Sequence, residues 1–268
     1  MKKLFVPVAI AAVLIISGML AGCDSVIPGG SILEGDTITE ELTFDNFSGI
    51  DVGSAFDVTI TRADSYKVVI TADETLYDYI EVTKSGGILQ IYLKPHHIFT
   101  DFTIGAKTLK AEITLPVLTN LALSGATSGT MTGFVSTEDI ILNISGASSL
   151  KIIGGGFDDV KCEVSGASRI SGNITADDIR MVVSGASKAD LSGTAGDMIL
   201  EVSGASKADL ASLNIDNADI ELSGASEATV NVKENLNPVL SGASSLYFYG
   251  NPNMGDLEVS GASTIKHK

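Results

Sequence analysis

Acidic side chains recur about every twenty residues in the C-terminal half of this chain, and their type and spacing could support metal chemistry. One series consists of four aspartates and two asparagines: Asp139, Asp159, Asp178, Asp197, Asn217 and Asn235. The preceding residues are mostly acidic as well: Glu138, Asp158, Asp177, Gly196, Asp216 and Glu234. Rows of carboxylate oxygens suit Ca²⁺, so the four aspartates form a candidate cation column.

Asp and Asn are also common turn residues, because their side chains accept hydrogen bonds from nearby main-chain N–H groups. The chain lacks the GGxGxD signature of calcium-binding repeats. We therefore favour turn formation as the main role of these residues, with at most weak Ca²⁺ binding and no other cofactor.

A second recurring set carries mixed charge. Arg169, Lys188, Lys207 and Glu227 recur two residues before Ser171, Asp190, Asp209 and Thr229. Opposite charges on neighbouring strands stabilise a sheet through cross-strand pairs, and we expect that role here. A polysaccharide-lyase site would need a base and a metal cluster together, which this set does not supply.

Other candidate functional residues are few. His96 and His97 are adjacent, so in a strand they would point in opposite directions, which argues against a shared metal ion. Tyr247 and Tyr249 could stack on a sugar ring, but the chain has no Trp, so the aromatic surface is thin. His267 lies in a basic tail. The sequence therefore predicts no catalytic residue.

Eight copies of one tetrapeptide position these residues: SGAT at Ser124 and SGAS at the seven later sites. Successive copies start 21, 20, 19, 19, 20, 18 and 19 residues apart, a period typical of solenoids. Gly tolerates a positive φ at a bend, and hydroxyls can satisfy the peptide groups there. No His accompanies these serines within the repeat, so we interpret them as structural corners: Ser124–Gly125, Ser145–Gly146, Ser165–Gly166, Ser184–Gly185, Ser203–Gly204, Ser223–Gly224, Ser241–Gly242 and Ser260–Gly261.

Apolar residues alternate with polar ones on both sides of each corner. Before it, the first, third and fifth residues are usually apolar, as in Ile140, Leu142 and Ile144; after it the pattern resumes with Leu150 and Ile152. This predicts an all-β, parallel, right-handed β-helix with two strands per coil of about twenty residues. An antiparallel sandwich would instead need a hairpin about every ten residues.

Residues 42–123 are β-rich but less regular than the repeats of residues 124–268. Phe56–Ile60 and Tyr66–Ile70, separated by polar residues, predict a hairpin, and Gly86–Gly87 predicts a turn into the strand that begins near Ile88. Val52–Ala55 resembles a degenerate corner.

The N-terminus predicts a lipoprotein. Lys2 and Lys3 precede an apolar stretch that ends in Leu20-Ala21-Gly22-Cys23, which resembles a bacterial lipobox. We expect residues 1–22 to be a signal peptide, Cys23 to carry the lipid and residues 23–41 to form a tether. A plain secretory peptide or a membrane-spanning anchor is the alternative, although the apolar core is short for a span. The domain would lie outside the cytoplasm, anchored to a bacterial membrane in the cell envelope.

The charge of the chain excludes some partners. With 17 basic and 33 acidic residues the net charge is −16, and nucleic acids and anionic membrane surfaces both require basic patches. If Cys23 is lipidated, Cys162 has no cysteine to pair with in the chain, so stability must come from the repeats.

Several segments together carry a family resemblance. Phe47–Gly53 (FSGIDVG), Phe56–Ile60 (FDVTI) and Leu115–Leu118 (LPVL), followed by serial Ser-Gly-Ala corners, resemble the putative auto-transporter adhesin, head GIN domain family. The similarity covers roughly Leu42 to Lys268. It implies a pectin-lyase-like β-helix, a location in the cell envelope and an adhesive role, and it implies no catalytic residues.

The functional expectation is therefore a non-catalytic, adhesin-like lipoprotein that offers a repetitive surface to glycans or proteins. Two alternatives remain: a β-helical enzyme that cleaves polysaccharides, and a purely structural scaffold of the envelope.

Overall fold

A computed structural model describes residues 36–94 and 108–268 of the chain. The described residues are almost entirely β-structure, with 20 strands joined in one continuous sheet and one short helix, α1 (Glu74–Tyr77). The predicted signal peptide, Cys23, His96 and His97 lie outside the described residues.

The C-terminal part is a parallel β-solenoid of about seven turns, which confirms the predicted fold class. Its strands are β8 (Asn120–Leu123), β9 (Ser128–Thr132), β10 (Ile140–Ile144), β11 (Ser149–Gly156), β12 (Asp159–Val164), β13 (Arg169–Val183), β14 (Lys188–Val202), β15 (Lys207–Leu222), β16 (Glu227–Leu240), β17 (Ser245–Tyr249), β18 (Asn253–Met254), β19 (Glu258–Val259) and β20 (Thr264–His267).

Each coil pairs in parallel with the coils before and after it. Each coil has two turns: the Ser-Gly-Ala corner and a second turn on the opposite side. In the middle of the solenoid the pairing continues around the second turn, so that β13 and β14 stay in register from Arg169–Lys188 to Val183–Val202. The second turn is therefore part of the regular strand pairing there. Equivalent side chains of successive coils consequently form straight columns.

The apolar columns predicted from the alternation form the core between the two faces of the solenoid. The residues immediately before the first seven corners are at most 1% exposed: Leu123, Ile144, Val164, Val183, Val202, Leu222 and Leu240. Cys162 is buried in the core as a free thiol. Loss of water contact, and secondarily the nearby Glu163, raises the pKa of that thiol to about 12.

The N-terminal region adds a coil that is out of sequence order. Its strands are β1 (Thr37–Leu42), β2 (Gly49–Val52), β3 (Asp57–Arg62), β4 (Lys67–Asp73), β5 (Ile80–Ser85), β6 (Ile88–Leu93) and β7 (Leu109–Leu115). The β2–β3 coil pairs in parallel with β8–β9 on one side and with the later β6–β7 coil on the other. Antiparallel strands then cover the N-terminal end of the stack: β5 pairs with β6, and β4 lies between β7 and β1.

One predicted hairpin is wrong. β3 and β4 do not pair with each other, because both edges of β3 are occupied by parallel partners in the stack while β4 belongs to the antiparallel cap. The prediction at Gly86–Gly87 is confirmed, since both glycines have positive φ and connect β5 to β6 in a hairpin.

Candidate functional site

The eight predicted corners stack directly on one another. In each tetrapeptide the alanine N–H donates to the glycine carbonyl of the preceding coil at 2.7–2.8 Å, and the first such bond reaches Ser54 instead of a glycine. The corner glycines all have φ between 71° and 77°. Ser54 takes the same conformation, with φ 74°, which places Val52–Ala55 in the column as an additional corner. The glycine and alanine of the repeat are exposed, so the column forms an edge of the solenoid.

The fourth residue of the tetrapeptide points into the core, a role that our list of corner residues missed. Seven such residues are at most 2% exposed: Thr127, Ser148, Ser168, Ser187, Ser206, Ser226 and Ser244. In the first four steps of this column, the main-chain N–H of one residue donates to the hydroxyl of the next coil's residue at 3.2–3.4 Å. The sequence did hold a signal: the fourth residue is two before Leu150 and equivalent inward positions, so period-two alternation already places it inside.

The acidic series lies along the second turn as an in-register column. Asp159 pairs with Asp178, Asp178 with Asp197, Asp197 with Asn217 and Asn217 with Asn235. The Oδ1 atoms of Asp139 and Asp178 accept hydrogen bonds from the main-chain N–H of Asp159 and Asp197, at 3.2 and 3.1 Å. These bonds join successive coils, whereas the sequence suggested local turns.

Amides extend the same column toward the C-terminus. Asn217 Nδ2 donates to Asp197 Oδ1 at 2.8 Å, and Asn235 Nδ2 donates to Asn217 Oδ1 at 2.7 Å. Alongside it, Asn237 Nδ2 donates to Asp219 Oδ1 at 2.7 Å. An amide thus presents a donor where a carboxylate would meet another carboxylate.

The neighbouring acidic series concentrates negative charge at Asp158. Partial loss of hydration raises the pKa of this carboxyl above its usual range, and the negative charges of Asp177, Asp159 and Asp139 raise it further. Across residues 36–94 and 108–268, no three His, Cys, Asp or Glu side chains are grouped as a metal site would require. The candidate cation column Asp139, Asp159, Asp178 and Asp197 is therefore a single file of carboxylates.

We expect Asp178→Asn to raise the free energy of unfolding at pH 7 by about 0.2–1 kcal/mol. The variant removes one of several neighbouring negative charges. Its new amide would also donate a hydrogen bond to the Asp159 carboxylate, as the Asn217 amide does to Asp197. Asn217→Asp is the matched control and should lower stability. Salt screens repulsion between exposed charges. Thermal melting at pH 7 in low and in high salt should therefore show the Asp178→Asn gain shrinking as salt is added; an unchanged gain contradicts charge repulsion as its cause.

The cation hypothesis is tested by melting the same proteins in millimolar Ca²⁺ and in chelator. We expect similar melting temperatures in both, and Asp159→Asn/Asp178→Asn to be at least as stable as the parent. A large rise in Ca²⁺ that the double variant loses would instead identify a metal-stabilised column.

An open groove of about 570 Å³ follows this face over several coils. Its polar lining comes from Asp178, Arg180, Asp197, Asn217, Asp219, Asn235 and Asn237. Arg180 forms an ion pair with Glu201 of the next coil. The groove thus presents hydrogen-bond donors and acceptors at a repeating interval close to the strand spacing, about 4.8 Å.

The opposite face carries the second charged set. Three like charges are neighbours on this face, because Arg169, Lys188 and Lys207 lie in register. At the end of this row Lys207 Nζ forms an ion pair with Glu227 Oε1 at 2.6 Å. Lys188 Nζ lies 3.7 Å from Asp190 Oδ2 of its own strand. The charges on this face are thus balanced partly along strands and partly across them.

The remaining candidates lie at the C-terminal end. His267 Nε2 is 2.7 Å from the Gly250 carbonyl oxygen, and its ring stacks on Phe248. Lys268 Nζ lies 4.3 Å from the centre of the Tyr247 ring, and Tyr249 is 38% exposed. The tyrosine pair is therefore only partly available to a ligand, because Lys268 covers one ring.

The family described as putative auto-transporter adhesin, head GIN domain, matches residues 46–252. The chain belongs to this family. The match contains the inserted N-terminal coil and seven of the eight Ser-Gly-Ala corners of this head GIN domain protein. No curated protein matches the chain.

Solved structures share the fold of this head GIN domain protein. A putative adhesin from Parabacteroides distasonis has a TM-score of 0.79 at 17% identity, covering 88% of this chain and 98% of that one. A putative lipid binding protein from the same species gives 0.75 at 18%, covering 87% and 97%. A putative adhesin from Parabacteroides merdae gives 0.72 at 14%, also covering 87% and 97%.

Proposed function

We propose that the protein is a non-catalytic, adhesin-like binding module of the bacterial cell envelope. The observation that carries this proposal is the in-register polar column on an open groove, which repeats the same contact from coil to coil. Such a surface suits an extended polymer better than a small substrate, because each added coil adds a similar set of contacts. Membership of a family described as adhesins, and the adhesin names of two structural relatives, support the same role.

We further propose a glycan as the ligand of the groove. Its amide and carboxylate groups match the hydroxyls of a sugar chain. Its lining includes the half-buried Asn217 and the exposed Asn235 and Asn237, whose side chains can donate and accept hydrogen bonds. No aromatic residue lines it, so recognition would depend on repeated hydrogen bonds. A protein partner is the other possibility that the experiment below distinguishes.

Two competing functions make different predictions. A polysaccharide-cleaving enzyme needs an acid or base poised beside a nucleophile or metal. It would have to use the carboxyl groups around Asp158, and it predicts cleavage of the bound polymer. An envelope scaffold needs no ligand at all.

We propose that the domain is held at the membrane by lipid on Cys23. Within the described part of the chain, no helix has the length and apolar character needed to cross a membrane. The lipobox-like Leu20–Cys23 and the Gly-, Pro- and Ser-rich tether support the proposal. The wild-type chain should partition with membranes and Cys23→Ala should not; a variant that still partitions contradicts the lipid anchor.

The test of function is a binding screen of the polypeptide from Asp24 onward against immobilised polysaccharides and envelope proteins. We expect retention on a glycan, weakened about tenfold by Asn235→Ala/Asn237→Ala, because two hydrogen-bonding side chains of the groove are lost. Asn231→Ala is the matched control: its Nδ2 donates to Asn214 Oδ1 at 3.0 Å in an equivalent ladder away from the groove. Retention by proteins alone contradicts the glycan proposal, and no retention by either class favours the scaffold.

A further inference from the structure

Among the described residues, the hydrophobic core is exposed at the last coil of the solenoid, which contains β18, β19 and β20. Val259, Ile265 and Met254 continue core columns whose preceding members, Leu240, Leu246 and Leu236, are at most 1% exposed. Val259 is 47% exposed and Met254 is 41% exposed, and Leu257 beside them is 55% exposed. Large apolar side chains that point inward are therefore left in contact with water.

The same end leaves strand edges unpaired. β18 and β19 pair with β16, and β20 pairs with β17, and no other strand of the described residues occupies their outer edges. Unpaired edges beside exposed apolar residues readily pair with another chain. The opposite end differs: β1 and β5 there belong to the antiparallel strands, and their Leu42, Ile80 and Val82 pack against the core.

Charge at the open end is divided between its two layers. The stretch around β19 carries Asp256 and Glu258, whereas β20 and the residue after it carry Lys266 and Lys268. A second copy, turned about a two-fold axis parallel to the strands, would bring β19 of one chain against β20 of the other. The strands would pair antiparallel, the acidic layer would face the basic layer twice, and both open cores would be covered.

We propose that two copies of this chain associate end to end through β18, β19 and β20. The occupant is a second copy because it supplies the same two-layer spacing, an equally open core and complementary charge. The contact is isologous, so it closes at a dimer and does not propagate into a fibre. The two β1 strands, the first of the described residues, then lie at opposite ends of the dimer. Resting on the function proposed above, such a dimer would bridge two membrane surfaces.

Sedimentation velocity of the polypeptide from Asp24 onward, over a range of concentrations, tests the association. It retains every residue that the structure describes. We expect a monomer–dimer equilibrium that Val259→Lys weakens at least tenfold, about 1.4 kcal/mol, because the lysines would be placed at the centre of the contact. Ile199→Lys, on an outward and 42% exposed position of the central coils, is the control and should dimerise like the parent. Unchanged dimerisation of Val259→Lys, or a monomer at all concentrations in the parent, overturns the proposal.

A charge exchange tests the arrangement itself. Glu258→Lys and Lys266→Glu should each weaken the dimer, and the double variant should recover it, because opposite charges again face each other across β19 and β20. Unchanged association of the single variants would indicate that like strands meet, contrary to the proposal, because reversing both copies of one residue would only replace one like-charge contact by another. Circular dichroism of each variant establishes that the solenoid is intact. The glycan screen does not depend on this contact, so failure of either proposal is recognised separately: Val259→Lys should still bind glycan.

Liposomes carrying the polypeptide through its N-terminus test the bridging. They should aggregate with the parent and remain dispersed with Val259→Lys; aggregation that is the same for both contradicts bridging through this end.

Discussion

Gly185→Ala should lower the free energy of unfolding by about 3 kcal/mol, a large effect for a single methyl group. Two costs combine at this corner. The backbone φ of 77° is unfavourable for residues with a Cβ atom. A Cβ atom built there would also lie 2.5 Å from the Gly166 carbonyl oxygen, so adjacent coils would have to separate. Urea unfolding followed by circular dichroism measures the loss.

Gly154→Ala is the matched control for the corner. Gly154 has a φ of 69°, but a Cβ atom there would meet nothing within 4 Å. It should therefore cost only the backbone term, about 1–2 kcal/mol. Equal losses of stability in the two variants would show that contact between the added Cβ atom and the Gly166 carbonyl oxygen has no cost. That result would contradict close packing at the corner.

Ser148→Ala should lower the free energy of unfolding by about 1–2 kcal/mol. The Ser148 hydroxyl accepts a hydrogen bond from the Thr127 N–H at 3.2 Å, and both residues are at most 2% exposed. Removing the hydroxyl leaves a buried N–H group without that acceptor, and water cannot replace it in a packed column.

Ser226→Ala is the contrasting variant in the same column. Among the described residues, its buried hydroxyl is the side-chain polar atom that lacks a hydrogen-bond partner. Replacing it by a methyl group removes the cost of burying an unpaired polar atom, so we expect equal or greater stability. If Ser148→Ala and Ser226→Ala lower the free energy of unfolding equally, the hydrogen bonds to hydroxyls between coils do not stabilise the column.

The repeat made most of the solenoid predictable. A constant small-residue corner every twenty residues, flanked by alternating apolar residues, leaves few folds other than stacked two-strand coils. The same alternation would have placed Ser148 and its equivalents inside the core, had it been extended across the corner to the fourth residue.

The N-terminal topology was not accessible to local patterns. Phe56–Ile60 and Tyr66–Ile70 look like the two arms of a hairpin, yet β3 finds its partners in β7 and β9, which are distant in sequence. Which edge a strand occupies depends on long-range competition between strands, and alternation does not encode it.

The acidic column shows a similar limit. Its positions and its register followed from the spacing, but the hydrogen-bond partners did not. Asp178 accepts a hydrogen bond from the main-chain N–H of Asp197 in the next coil, because in-register parallel pairing places that N–H beside it.

The most direct test of the central claim is to measure glycan binding and glycan cleavage in one sample. The polypeptide from Asp24 onward is incubated with the polysaccharide that retains it, and bound protein and new reducing ends are followed together, with heat-denatured protein as the blank. A non-catalytic binding module predicts stable retention and no reducing ends above the blank. Reducing ends that accumulate with time and in proportion to the protein would contradict it and identify an enzyme.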